Sequence, residues 1–203
     1  MLDAFLCRAT RQERAAPLPG DEDIANPVAV LDNAIDIDAP PEAVWPWLAQ
    51  MGAWPKAGWY SYDFLDNRGH KSLDAVDPAL TEIDIGSVFP ALPGVTDCFI
   101  LTRMEPQRCL VLAVPGKDGP KGELGSPEWI RSFGRSNWSW ILTPLPAGMR
   151  LHVRARLGWL EMDLPFLGTV NFPAWLARLL AGPIHFIMQQ RQLHNIRRRV
   201  EKA

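Results

Sequence analysis

Ile37-Asp38-Ala39-Pro40-Pro41-Glu42-Ala43-Val44-Trp45-Pro46-Trp47-Leu48, followed shortly by Gly58-Trp59-Tyr60-Ser61-Tyr62-Asp63, is the stretch on which the reading of the fold turns. Leading into it, Val28 to Asp38 alternates. Ile35 and Ile37 stand against Asp36 and Asp38, the period-2 pattern of a half-buried strand. Asp38 is placed to cap the helix that follows, and Pro40 and Pro41 suit its first turn. Val44, Trp47, Leu48 and Met51 then recur at i, i+3, i+4 and i+7, an inward helical stripe. Pro46 removes an N–H from the ladder and predicts a kink, and Gly52 ends the helix. Tyr62 to Asn67 reads as a second short helix closed by Gly69.

Upstream, residues 1–27 are polar, with Pro17, Pro19 and Gly20 as breakers. They read as an extended arm lying on a single domain of residues 28–203. Downstream, the alternation of Ile83, Ile85 and Phe89 against Glu82 and Asp84 predicts a strand over Thr81 to Phe89. Asp97 to Glu105 and Arg108 to Val114 predict a hairpin turning at Pro106-Gln107. Asn137 to Thr143 and Met149 to Leu160 predict another. Between the hairpins, the Gly- and Pro-rich Pro115 to Asn137 is long enough to be a lid or a disordered tip. Phe172 to Ala181 reads as one helix. Pro183 starts another that runs to about Val200, with Ile184, Ile187, Met188, Ile196 and Val200 on one side.

The order is therefore strand, two short helices, an antiparallel run of strands and a long terminal helix. A curved antiparallel sheet buries one face, and only the terminal helix is long enough to cover it. The fold class is α+β, a sheet wrapped around a helix, and such a grip leaves a cleft suited to a small molecule.

Composition narrows the function. The 203 residues carry a net charge of −2, so no global field draws nucleic acid or acidic lipid. The basic run Arg197, Arg198, Arg199 and Lys202 suits a solvated helix C-terminus and has no recognition motif beside it, so no nucleic-acid partner is expected. Cys7, Cys98 and Cys109 form neither a disulfide framework nor a zinc pattern, which fits a reducing cytoplasm. The charged N-terminal residues are unlike a secretory signal. Val170 to Met188 is apolar but interrupted by Asn171, Arg178, His185 and Gly182-Pro183. It reads as a buried amphipathic helix, with shallow membrane-surface contact as the alternative. Phosphate loops, dinucleotide fingerprints and the Gly-x-Ser-x-Gly nucleophile pattern are missing, and the histidines have no metal-ligand spacing.

Trp45, Trp47, Trp54 and Trp59 crowd into one region with both tyrosines. Aromatics bury large areas while their N–H and O–H groups still need partners. The cluster is either a tryptophan-rich core or the wall of an apolar pocket. Tyr60 or Tyr62 can donate to a ligand carbonyl or act as an acid, or can bond a backbone carbonyl. Asp63 and Asp66 share a helix face, as caps or as an acid/base pair. His185 can face the cleft as a base or be a satisfied packing residue. Arg154 and Arg156 share a strand face with Arg150 and His152. They lie in solvent or reach a ligand carboxylate with a guanidinium fork. Trp47, Met51, Trp59, Tyr60, Tyr62, Trp138, Trp140, Arg154, Arg156, His185 and Met188 are the expected ligand contacts. Tyr60, Tyr62, Asp63 and His185 are the candidates for catalysis.

The chain resembles the START/pollen-allergen-like, helix-grip or SRPBCC superfamily, and within it the bacterial polyketide cyclase/dehydratase-like branch. The resemblance covers nearly the whole chain. It is carried by Arg14 to Glu22 in the arm, Ile37 to Leu48, Ala57 to Asp63 with Asp66-Asn67, Ser139-Trp140, and His185 to Met188 with Ile196 to Arg199. It implies a curved sheet around the C-terminal helix and a cavity for a lipid, polyketide or aromatic guest. It implies no shared catalytic set, and the His/carboxylate iron ligands of the oxygenase relatives are not evident. Three functions follow. One is binding of a hydrophobic small molecule. The second is a cofactor-free cyclase, dehydratase or lyase on a polyketide-like substrate. The third is a membrane-surface or protein-interaction module. No cofactor or metal is expected, and the chain is read as a monomer or homodimer.

Overall fold

The computed structural model describes residues 6–93, 98–116, 118–158, 161–164, 168–171 and 173–203. A short helix α1 (Arg11–Ala15) precedes strand β1 (Ala29–Ile37), helix α2 (Pro41–Ala49) and the single turn α3 (Asp63–Asp66). Strands β2 (Val88–Pro90), β3 (Cys98–Glu105) and β4 (Cys109–Val114) follow, then helix α4 (Pro127–Arg131) and strands β5 (Ser136–Leu145) and β6 (Gly148–Leu157). A separate hairpin, β7 (Glu161–Leu164) and β8 (Gly168–Asn171), leads to helix α5 (Ala174–Val200). The main sheet is antiparallel throughout, in the order β1-β6-β5-β4-β3-β2.

Period-2 alternation decides where each face goes. On β6, Met149, Leu151 and Val153 join the core beneath α5, with Ile35 and Ile37 of β1 and Leu193, Ile196 and Val200 of the helix. Each such side chain, fully buried, contributes about 1.5–3 kcal/mol. The alternate residues Arg150, His152, Arg154 and Arg156 point to the opposite face. They meet residues 8–24 there instead of solvent.

Arg154 is the centre of that second face. All five guanidinium N–H groups are used. Nε donates to Asp32 at 2.9 Å, Nη1 to Asp21 and the Ala16 carbonyl, and Nη2 to the Glu13 and Arg14 carbonyls. Arg156 donates to the Ile24 carbonyl and to Asp21, and Arg150 to Glu13 and Asp36. Arg103, on β3, pairs with Glu22 and Asp23. Gly20 allows the closest approach. Its φ of 95° favours glycine, and a Cβ there would lie 3.0 Å from Val111 Cγ1. Asn137 and Ser139 then donate to the Gly20 and Pro19 carbonyls. Burial works against the Glu13 carboxylate, but hydrogen bonds from Arg150 and Thr10 bring its pKa from 4.5 to about 2. Its stabilising share is therefore present above pH 4.5 and lost as pH falls through 2.

Several expectations need correction. Asp38 does not cap α2. The N-cap is Pro40, with no side-chain bond, and the Asp38 backbone N–H donates to Glu201. The strand over Thr81 to Phe89 shrinks to Val88–Pro90, because Asp84-Ile85-Gly86-Ser87 makes a turn. Ser87 N–H donates to the Asp84 carbonyl and Gly86 takes φ 93°. Ile83 and Ile85 still pack against the core. The expected lid or disordered tip holds α4, capped by the Ser126 hydroxyl, and buries Trp129 and Phe133 against Ile100 and Ala113. Lys117 within it, and Asp97 at the start of the predicted hairpin, lie outside the described residues.

The terminal helix is continuous through Pro183. The carbonyl that Pro183 leaves without a helical donor belongs to Leu179, an exposed residue, so solvent can serve it. Ile184 and Ile187 face outward, 57% and 55% exposed. The inward line is His185, Met188, Gln189, Gln192, Leu193, Ile196 and Val200. No helix among the described residues is long and apolar enough to cross a membrane.

Replacing Arg154 by Met removes its five hydrogen bonds and takes a cation from both Asp32 and Asp21, which keep His152 and Arg156 respectively. This substitution is expected to cost about 3–5 kcal/mol in urea unfolding. Lys, with three donors and no fork, is expected to recover less than half of that.

Candidate functional site

The site is built where the chain leaves α2 and crosses toward α5. Gly58 takes φ 89°, and a Cβ on it would collide with Ser72. Tyr60 takes φ 58°, a left-handed conformation uncommon for a bulky residue. Its backbone is held on both sides. The N–H donates to Ser72 Oγ at 3.2 Å, and Asn195 donates to its carbonyl at 2.8 Å. The segment is then latched along α5. Ser61 donates to the Met188 carbonyl, Arg191 to the Ser61 carbonyl and Arg199 to the Leu73 carbonyl.

This bend leaves a cavity of about 310 Å³ between the sheet and α5. That is room for about ten waters and lies at the small end of ligand pockets. Three rings form one wall. Phe99 and Trp138 stack at 4.8 Å with 23° between planes. Trp59 meets them edge-on at 5.4 and 5.7 Å. Trp59 is fixed by its indole N–H, shared between the Pro90 and Ala91 carbonyls. Leu65, Ala91, Leu92 and Met188 complete the apolar lining, and Ser61, Asp66, His185, Gln189 and Gln192 supply the polar atoms.

Two of those polar groups are without partners. Both carboxylate oxygens of Asp66 and both ring nitrogens of His185 are buried with no hydrogen bond. Asp66 is only 7% exposed. Burial, reinforced by the like charge of Asp63, raises its pKa from 3.8 to about 6, against a smaller opposing pull from nearby Tyr62 and Ser61 dipoles. Burial lowers His185 from 6.5 to about 4, so its ring is neutral at physiological pH. It stands edge-on to Trp138 at 5.7 Å. By contrast, Gln189 donates to Gln192, whose own amide reaches Met51 Sδ.

Of the expected contacts, Trp59, Trp138, His185 and Met188 line the cavity. Trp47, Met51, Tyr60 and Trp140 are buried in the core beside it. The Tyr60 hydroxyl accepts from Gln50 at 2.7 Å and donates to the Trp47 carbonyl, and burial pushes its pKa upward. Tyr62 precedes α3 and lies under the Arg191 guanidinium. Asp63 accepts from the Ser72 N–H and hydroxyl. Arg154 and Arg156 are on the far face, neither in solvent nor near the cavity. Asp66 and Phe99 were the contacts to find. The i, i+3 pairing of Asp66 with Asp63 was visible, but nothing local tells which of the two turns inward. Among the described residues, no three His, Cys, Asp or Glu side chains converge as a metal cluster.

No family profile and no curated protein sequence matches the chain. Solved structures overlay on it loosely. A protein from Mesorhizobium loti is 14% identical with a TM-score of 0.48, over 86% of this chain and 98% of that one. The Polyketide_cyc-like protein from Corynebacterium glutamicum is 14% identical with a TM-score of 0.35, over 89% and 84%. The di-domain ARO/CYC StfQ from the steffimycin biosynthetic pathway is 13% identical with a TM-score of 0.44, over 86% and 52%. The class of the protein rests on its own strand order and terminal helix: it is α+β, an antiparallel sheet with a long C-terminal helix in a helix-grip arrangement.

Below pH 3.8 Asp66 is protonated folded or unfolded. As pH rises through 6, the folded state gives up a proton it holds more tightly than the unfolded chain does, and stability falls. Asp66→Asn is expected to remove this slope and to raise stability at pH 8 by about 1–2 kcal/mol, read by thermal melts across pH 4–8.

Proposed function

We propose that the protein binds a small, largely apolar molecule in the cavity between the sheet and α5. The observation that carries this is a cavity of about 310 Å³ walled by Trp59, Phe99 and Trp138 and holding two unpartnered polar side chains. A buried polar group without a partner costs roughly 1–3 kcal/mol, a debt that a bound ligand able to complete its hydrogen bonds can cancel. Apolar walls supply affinity and the few polar groups supply orientation. Filling the cavity tests the reading. Met188→Trp is expected to abolish the quenching of tryptophan fluorescence by naphthalene-sized ligands while the protein still melts cooperatively. Undiminished binding by that variant would place the ligand elsewhere.

A second reading, cofactor-free catalysis on a polyketide-like substrate, is favoured by one observation. Asp66, raised to about 6, can donate a proton when protonated, and His185, neutral because burial lowers it to about 4, can accept one, and both line one cavity. Tyr60 and Asp63 are already hydrogen-bonded within the fold and Tyr62 is not among the lining residues, so proton transfer falls to Asp66 and His185. Asp66→Asn is expected to slow the cyclisation or dehydration of a poly-β-carbonyl thioester by about 10²–10⁴-fold. An unchanged rate would remove the catalytic reading and leave the binding one.

A further inference from the structure

We infer that the ligand is a hydrophobic amine, its apolar body against the Trp59–Phe99–Trp138 wall and its ammonium group on Asp66. The inference rests on the small-molecule reading above and adds the charge of the guest. Among the described lining residues, Asp66 alone carries a formal charge, since His185 is neutral. Its neighbour in charge is Asp63, of the same sign.

Among the described residues, the cations that come near are engaged elsewhere. Arg191 donates to the Ser61 carbonyl and covers the Tyr62 ring. Arg199 holds the Leu73 carbonyl and pairs with Asp74 at 2.9 Å. Arg154 and Arg156 are locked beneath the N-terminal arm on the other face of the sheet. Among the described residues lining the cavity the formal charge is that of Asp66, and an ionised carboxylate there repels a fatty acid or other carboxylate and attracts a cation.

Two further features fit a cation in particular. Aromatic faces carry negative quadrupole charge, and a desolvated ammonium over a tryptophan is well placed to use it. An ionised carboxylate is acceptor-only, with room for several donors. A primary ammonium brings three, where a hydroxyl brings one and leaves the buried charge uncompensated.

The test uses one apolar body with three head groups: naphthalen-2-ylmethanamine, naphthalen-2-ylmethanol and 2-naphthoate. Each is titrated calorimetrically into the full chain at pH 7.5. The amine is expected to bind at least about ten-fold tighter than the alcohol, and the carboxylate weakest of all. In Asp66→Asn the amine should lose its advantage over the alcohol, and a cooperative thermal melt shows that the variant is folded. The wild-type series stands by itself if that variant does not fold. Equal binding of amine and alcohol, or preference for the carboxylate, overturns the amine inference and leaves the small-molecule reading intact. No binding of any of the three removes both.

Discussion

Strand β6 has no free side, and the rest of the molecule follows from that. It pairs with β1 along one edge and β5 along the other. Its odd-numbered residues Met149 to Val153 lie under α5, and its even-numbered residues Arg150 to Arg156 lie under the N-terminal arm. A shift of register by one residue would put four basic or imidazole side chains into the apolar core and three aliphatic ones among carboxylates. The two faces thus enforce the same register by opposite chemistry. Arg154, with all five donors matched, is the most demanding single residue in that arrangement.

With the sheet fixed, the position of α5 decides where space is left. Toward its C-terminus, Leu193, Ile196 and Val200 close tightly on Ile35, Ile37 and Leu151. Toward its N-terminus the inward positions become His185, Met188, Gln189 and Gln192, and a cavity opens between them and the aromatic wall. The change from aliphatic to polar residues along one helix face marks the boundary between core and site. The loop from Gly58 to Asp66 completes the cavity because Ser61, Tyr60 and Leu73 are tied to successive turns of the same helix. The left-handed Tyr60 is tolerated because its backbone and hydroxyl are both fully engaged.

Much of this was legible in the sequence. The alternation of Val28 to Asp38 and the two hairpins each obey one period, and the structure has strands there. The last strand ends at Leu157, and Trp159 and Leu160 lie outside the described residues. The Val44–Leu48 stripe lies on α2, which ends at Ala49 before Met51. Resemblance carried the architecture as a whole. What could not be read depended on contacts distant in the chain. The face holding Arg154 looks solvent-exposed in β6 alone, because the arm that covers it is more than 100 residues away. Pro183 looks like a break because periodicity does not show that Leu179, whose carbonyl loses its helical donor, is exposed. Gln189 and Gln192 look like surface residues, and Ile184 and Ile187 like core, because a cavity relaxes the rule that apolar residues face in. Asp66 was weighed only as half of a pair with Asp63. That Asp63 is consumed by Ser72 while Asp66 is left without a partner follows from a loop nine residues after Asp63.

The central claim is that a buried, unpartnered carboxylate sits beside an aromatic wall in a cavity that takes a ligand. The most direct measurement is a carbon-13 NMR titration of the Asp66 side-chain carboxyl in the free protein. The account predicts a midpoint near pH 6, with the amine-saturated protein titrating well below it. A midpoint in the ordinary aspartate range near 3.9, unmoved by ligand, would contradict it, because the carboxylate would then be solvated or already paired.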